Sequence, residues 1–204
     1  MSTNATPSAR ESELLEAAYD YVLQHGLTDF SLRPLAAAIG SSPRVLLYLF
    51  DSKDGLIRAI LTRARRDELE LLAGLRDHEP TDETLTEVAR QIWSWLAAPE
   101  HRPVLALWVE AYARSLIDPD GPWARFAADT VDDWLTVLAS AQPVPGTREA
   151  ENRRTGVLAV LRGALLDLLA TGDAERTTAA AHATLDRIAA PSGRSINRSR
   201  HRGP

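Results

Sequence analysis

Apolar residues recur in this chain at every third or fourth position, and no stretch alternates apolar with polar residues. Leu14, Leu15, Ala18, Tyr19, Val22 and Leu23 set the pattern. Such a repeat lines one face of a helix, whereas a half-buried strand needs a repeat of two. The chain is therefore predicted to be all-α. The repeat breaks at short clusters of Gly, Pro, Ser and Asp: Gly40-Ser41-Ser42, Asp51-Ser52, then EPTD, APE, IDPDG, QPVPG and TGD. Between the breaks, helices are expected over 10–24, 31–39, 43–50, 53–76, 82–97, 100–117, 122–141, 148–171 and 174–190. Residues 1–9 are rich in Ser, Thr, Asn and Pro, and 191–204 in Ser, Arg and Gly. Both ends are expected to be disordered.

Composition removes several function classes. There are no cysteines, which excludes disulfides, thiolate metal sites and a cysteine nucleophile. No apolar run approaches the roughly 20 residues of a membrane span, and the N-terminus lacks the apolar core of a secretory signal. A soluble cytoplasmic protein is the expectation. The histidines (25, 78, 101, 182 and 201) show no His-x-x-x-His or Glu-x-x-His spacing. A Gly-rich phosphate loop and a nucleophile elbow are also missing. The residues therefore point to no enzyme, no catalytic residues, no metal and no cofactor.

Charge is distributed unevenly. The chain carries −5 overall, yet Thr28 to Arg66 holds seven basic residues (Arg33, Arg44, Lys53, Arg58, Arg63, Arg65 and Arg66) against Asp29, Asp51 and Asp54. Lys53 is the single lysine. The window suits a polyanion, and it equally suits an ordinary mixed surface.

Within that window two short helices flank a glycine turn, the proportions of a helix-turn-helix. Ser31 is placed to cap the first helix, with Pro34 still in the first turn, where a missing N–H costs nothing. Ser42 is placed to cap the second, with Pro43 at its first position, and Ser52 the helix that begins at Lys53. Leu35, Ala36, Ile39, Leu46, Leu47 and Phe50 would pack the unit. In a helix-turn-helix the second helix enters the major groove and its N-terminal residues meet base edges. Here these are Ser42, Pro43 and Arg44, and Arg44 suits the O6 and N7 of guanine. Ser42 and the free N–H groups beside it suit a phosphate. Tyr48, one turn beyond Arg44, would bring its hydroxyl to the backbone. Ser31 and Arg33 open the backbone-crossing helix. Tyr48 is also readable as packing, and Arg33 as a solvated charge.

The ordered set Ser31, Ala36, Gly40, Ser42, Leu46, Phe50, Lys53 and Leu56, after a helix ending in Gly26, resembles the DNA-binding domain of the tetracycline-repressor (TetR) family. The resemblance covers roughly residues 10–60. It implies a DNA-binding head at 10–52, a helical ligand-binding and dimerisation body at 53–190, and a tail at 191–204. It implies phosphate contacts at Ser31, Ser42, Tyr48 and Lys53, and base or backbone contacts at Arg33, Pro43 and Arg44. The implied function is a homodimeric repressor, released from a palindromic operator on double-stranded DNA by a small-molecule effector. Two positions depart from the family pattern. Its usual Leu-Tyr pair is Leu46-Leu47 here, with the tyrosine one place later, a turn of about 100° around the helix. Its usual acid in the second helix is Pro34.

The body offers a pocket or a core. Trp93, Trp95, Trp108, Trp123 and Trp134 lie close in sequence, with Trp108 and Tyr112 on one helical face. Trp123, Phe126, Thr130, Trp134 and Leu138 form a second stripe. These rings, with Arg162 as a polar group, either wall a small-molecule site or fill the interior. Arg162 and Asp167 suit a pocket or an interface pair. Residues 148–190 combine a wide apolar arc with an alanine-rich helix, which suits a dimer interface. The competing reading is a helical small-molecule-binding protein without DNA recognition.

Overall fold

The computed structural model describes residues 8–27, 30–74 and 84–189. Among them nine α-helices and no strand occur. The first, α1 (Ala9–His25), begins with a capping box: the Ser8 hydroxyl accepts from the Glu11 N–H at 3.1 Å, and the Glu11 carboxylate accepts from the Ser8 N–H at 3.4 Å. The order expected to start after residue 9 therefore starts at Ser8, because the cap satisfies the free amides of the first turn; residues 1–7 lie outside the described residues. Gly26, at φ 73°, ends α1 with its N–H on the Val22 carbonyl at 2.8 Å.

Next come α2 (Leu32–Ala38) and α3 (Pro43–Phe50), joined through Gly40 at φ 64°. Ser42 caps α3, accepting the Val45 N–H at 3.3 Å. Ser31 stands at the N-cap of α2, but its side chain makes no capping bond. The cause lies in the sequence: a cap hydroxyl accepts from the second or third helical amide, and the third residue is Pro34, which has none.

The joint from α3 to α4 (Lys53–Gly74) is tight. Asp51 sits at φ 63°, and the Ser52 N–H donates to the Phe50 carbonyl at 2.7 Å. The Ser52 hydroxyl then caps α4 through the Gly55 N–H at 2.9 Å. A Cβ on Gly55 would lie 1.9 Å from the Phe50 oxygen, so no larger residue fits without moving backbone. Leu14, Ala18, Leu35, Leu46, Leu56 and Ile60 are buried together at the centre of this unit. Leu47, expected in that core, is instead 41% exposed, because the inward direction of α3 is taken by Leu46 and Phe50.

The remaining helices are α5 (Thr84–Ala97), α6 (Arg102–Ile117), α7 (Phe126–Ser140), α8 (Arg148–Thr171) and α9 (Ala174–Ala189). α8 packs on α9, α5 and α7, and α5 packs on α9. A 3₁₀ turn, Pro99–His101, precedes α6 where the α-helix was expected to begin. The larger difference is at α7, expected from residue 122 and found from Phe126. Arg125 adopts a left-handed conformation (φ 64°, ψ −9°), which a continuing helix does not allow. The Ser115 hydroxyl of α6 accepts the Ala127 N–H at 3.1 Å, so a free amide of the late start is satisfied from outside the helix. Trp123 thus lies in a turn, off the stripe it was expected to share. The ends of the helices expected at 53–76, 82–97 and 174–190 lie outside the described residues, as does the tail at 191–204.

Candidate nucleic-acid interface and internal cavity

On α3, Leu46 and Phe50 are buried and the opposite side is open. Ser42 and Arg44 are exposed, Pro43 is half-buried, and Tyr48 is 83% exposed. Ser31 and Arg33 are exposed at the start of α2. Lys53 is exposed at the start of α4, its Nζ 5.6 Å from the centroid of the Phe30 ring. The sequence-selected head residues therefore lie at helix starts or on the open side of α3. Among the described residues, none of Arg33, Arg44 and Lys53 forms an ion pair.

Other arginines of the basic window are engaged. Arg63 donates to Glu16 at 2.7 Å and also pairs with Asp67, which in turn accepts from the Tyr19 hydroxyl at 2.8 Å. Burial and the Asp67 carboxylate push the Tyr19 hydroxyl well above its ordinary pKa. This group fastens α1 to α4. Arg65 pairs with Asp133 of α7 at 2.5 Å.

Between α6, α7 and α8 lies a cavity of about 280 Å³. Trp108 and Tyr112 of α6, Phe126 and Trp134 of α7, and Arg162 of α8 stand in its wall. Leu116 and Leu166, also in the wall, are 67% and 53% exposed and so mark where it opens. The Arg162 guanidinium lies 5.1 Å from the Tyr112 ring centroid, and its Nη1 donates to the Tyr112 oxygen at 3.4 Å. Trp93 and Trp123 are buried elsewhere: Trp93 donates from Nε1 to Thr178 of α9 at 3.0 Å. Trp95 stacks on His101 and Trp108 behind the wall, with centroids 3.9 and 5.6 Å away. Asp167 takes no part in the cavity. It accepts from the two terminal guanidinium nitrogens of Arg176, at 2.6 and 2.8 Å, and that contact lowers its pKa.

One wall residue reaches the head's connecting helix. Trp134 donates from Nε1 to Glu68 of α4, which is fully buried. Burial raises the Glu68 pKa to about 7, against the lowering effects of the Trp134 hydrogen bond and the nearby Arg65. A second link comes from α6, where Glu110 accepts the Leu27 N–H, just beyond α1, at 3.0 Å. Sequence reasoning missed Glu68 and Glu110. For Glu68 a signal was present: it falls four residues after Ala64 and seven after Leu61, both buried, so an acid occupies the apolar stripe of α4. Glu110 carried no comparable signal.

A helix-turn-helix head whose Arg33, Arg44 and Lys53 form no ion pair among the described residues, set on a helical body with an internal cavity, is the arrangement of a DNA-binding regulator. Residues 14–60 match the family model of bacterial regulatory proteins, tetR family. A TetR-family member from Streptomyces coelicolor A3 is similar at 25% identity, over 89% of this chain and 98% of its own, with a TM-score of 0.69. A transcriptional regulator from Rhodococcus sp. Rha1 is similar at 22% identity, over 87% and 95%, with a TM-score of 0.71. The multidrug binding protein EbrR, solved in complex with proflavin, is similar at 24% identity, over 88% and 99%, with a TM-score of 0.62. No curated protein sequence matches the chain. Residues 14–60 thus match the tetR family by sequence, and nearly the whole length shares the fold of these regulators. The match at 14–60 points to a transcription factor rather than a catalyst. Among the described residues no helix is long and apolar enough to cross a membrane.

Proposed function

We propose that the protein is a homodimeric repressor that leaves a palindromic operator when a small, largely apolar effector enters the cavity. The observation that carries this reading is the contact between Trp134, a cavity wall residue, and Glu68 on α4, the helix that starts at the head. A ligand that shifts Trp134 disturbs a buried hydrogen bond on the element that orients the head. Coupling of this kind changes affinity by about 1–3 kcal/mol. The fold's capacity for a flat aromatic guest is supported by EbrR, solved with proflavin. In this reading the head spans 10–52 and the body 53–190.

In the head, Ser31, Ser42 and Lys53 hold phosphates, and Arg33, Pro43 and Arg44 meet bases or backbone. The Ser31 hydroxyl, which makes no capping bond, supports its part. Lys53 at a helix start is disfavoured by the dipole, and a phosphate bound there reverses the sign. In the body, Trp108, Tyr112, Phe126, Trp134 and Arg162 contact the effector.

Dimerisation is assigned to 148–190. Ala159, Gly163, Leu166 and Ala170 of α8 are exposed in one row, and Ala179, Ala180 and Ala183 of α9 are exposed as well. A Cβ on Gly163 would meet nothing within 4 Å, so a second helix has room to approach closely there. Two heads would then read half-sites about 34 Å apart.

Selection of bound duplexes from a random pool tests this reading. The expected product is a palindrome with half-sites one helical turn apart, bound by a dimer in sedimentation. Recovery of unrelated sequences, or a monomer at micromolar concentration, would overturn it.

A further inference from the structure

We propose that Tyr48 reads a base, together with Val45, and is not a backbone contact: the pair packs on a thymine methyl in the major groove beside the base taken by Arg44. The inference rests on the DNA-binding reading and assigns the chemistry of its reading edge.

Geometry separates the two roles. Successive helical residues advance about 100°, which places Tyr48 about 180° from the midpoint of Leu46 and Phe50. Those two side chains, 1% and 7% exposed, point into the head's core. Tyr48 therefore points straight away from the protein, and its 83% exposure agrees. By the same count Arg44 lies about 40° to one side of Tyr48 and Val45 about 60° to the other. A helix in a groove about 12 Å wide turns its outermost residues to the floor, where base edges lie, and its flanks to the walls, where phosphates lie. Leu47, about 100° from Tyr48, occupies the flank. It has no polar atom for a phosphate.

The chemistry fits the direction. Val45 is 39% exposed although the core lies one residue away, and neither it nor the Tyr48 ring is covered. Exposed apolar surface on a reading face matches the one apolar group a base pair presents in the major groove, the thymine C5-methyl. Arg44, on the same face, has no ion-pair partner among the described residues and is left to hydrogen-bond a base. Arg44 and Tyr48 are one turn apart, about 6 Å along the axis, so the two bases they meet lie within about two base pairs of each other.

The test uses the full chain and the duplex it selects. Y48A should weaken the selected site by about 5-fold or more, leave binding to unrelated duplex within about 2-fold, and relax one thymine position per half-site. Y48F keeps the ring and should retain the preference. Replacing that thymine by deoxyuridine, which lacks the methyl, should weaken the wild type more than Y48A, which keeps only Val45 on the methyl. Tyr48 touches little of the head, so the melting temperature of both variants should be that of the wild type. An equal loss on all sequences, selected and unrelated alike, would return Tyr48 to the backbone. Y48F behaving like Y48A would make the hydroxyl the contact and overturn the methyl assignment. A wild-type chain that selects no sequence would overturn the DNA reading, and this inference with it.

Discussion

Arg44 in the head and Arg162 in the body carry the same guanidinium into opposite settings. Arg44 stands on the open face of α3 with no ion pair among the described residues, while Arg162 lies over Tyr112 in a cavity wall. The two regions differ in the same way throughout. The head turns charged and apolar side chains outward from a small, tightly jointed core. The body turns its rings inward around a cavity. An exposed group is available to a polyanion at once. A cavity group answers only to a guest that displaces water, and it reports that guest through its packed neighbours. Glu68 belongs to both regions, since it sits on α4 and accepts from a cavity tryptophan.

The sharpest way to break the head is at its joint. Gly55→Ala forces a Cβ into the Phe50 carbonyl, and we expect a loss of about 4 kcal/mol with DNA binding lost in parallel. Urea unfolding and a mobility-shift titration measure both; wild-type stability would show the joint to be looser than described.

The body's counterpart is Glu68→Gln. The folded carboxyl holds its proton up to about pH 7 against an ordinary value of 4.5. Between those values the folded state binds more protons than the unfolded one, so wild-type stability falls as pH rises through the window. The glutamine variant should lack this component. Its stability relative to the wild type should improve by roughly 3 kcal/mol between pH 4.5 and pH 8, read from unfolding midpoints at several pH values. Parallel wild-type and variant curves would mean the carboxyl ionises normally.

Two smaller changes probe single hydrogen bonds on the head side. Tyr19→Phe removes the donor to Asp67 where α1 meets α4, and should cost about 1.5 kcal/mol because the acceptor is charged. Its effect should shrink on Asp67→Asn in a double-mutant cycle, and an undiminished effect would assign it to packing. Ser42→Ala removes the α3 cap for about 1 kcal/mol. Thermal melts resolve that loss, and an unchanged midpoint would show that water satisfies the Val45 amide equally well.

The head was largely legible because its signals are local. Ser42, Pro43, Ser52 and the glycines at 26 and 40 fix helix ends through bonds within a few residues. The failure of Ser31 as a cap was written there too, in Pro34 three residues on. The body was less legible. Nothing in Pro122 to Arg125 announces that α7 waits until Phe126, because Arg125 reaches its left-handed conformation without a glycine or asparagine to mark it. Likewise the spacing of the tryptophans allowed a pocket or a core for each, and both outcomes occur. Trp108 and Trp134 border the cavity, while Trp93 and Trp123 are buried away from it.

What the sequence determined by itself was periodic or short in range: the helices, their caps, and the unequal charge of the head. The tertiary structure alone decided which rings enclose space, which arginines find an ion-pair partner, and why the pKa of one glutamate is raised. Those properties depend on how completely a group is removed from water. Removal from water is set by helices packing from distant parts of the chain, as α4, α7 and α8 do around Glu68, Trp134 and Arg162.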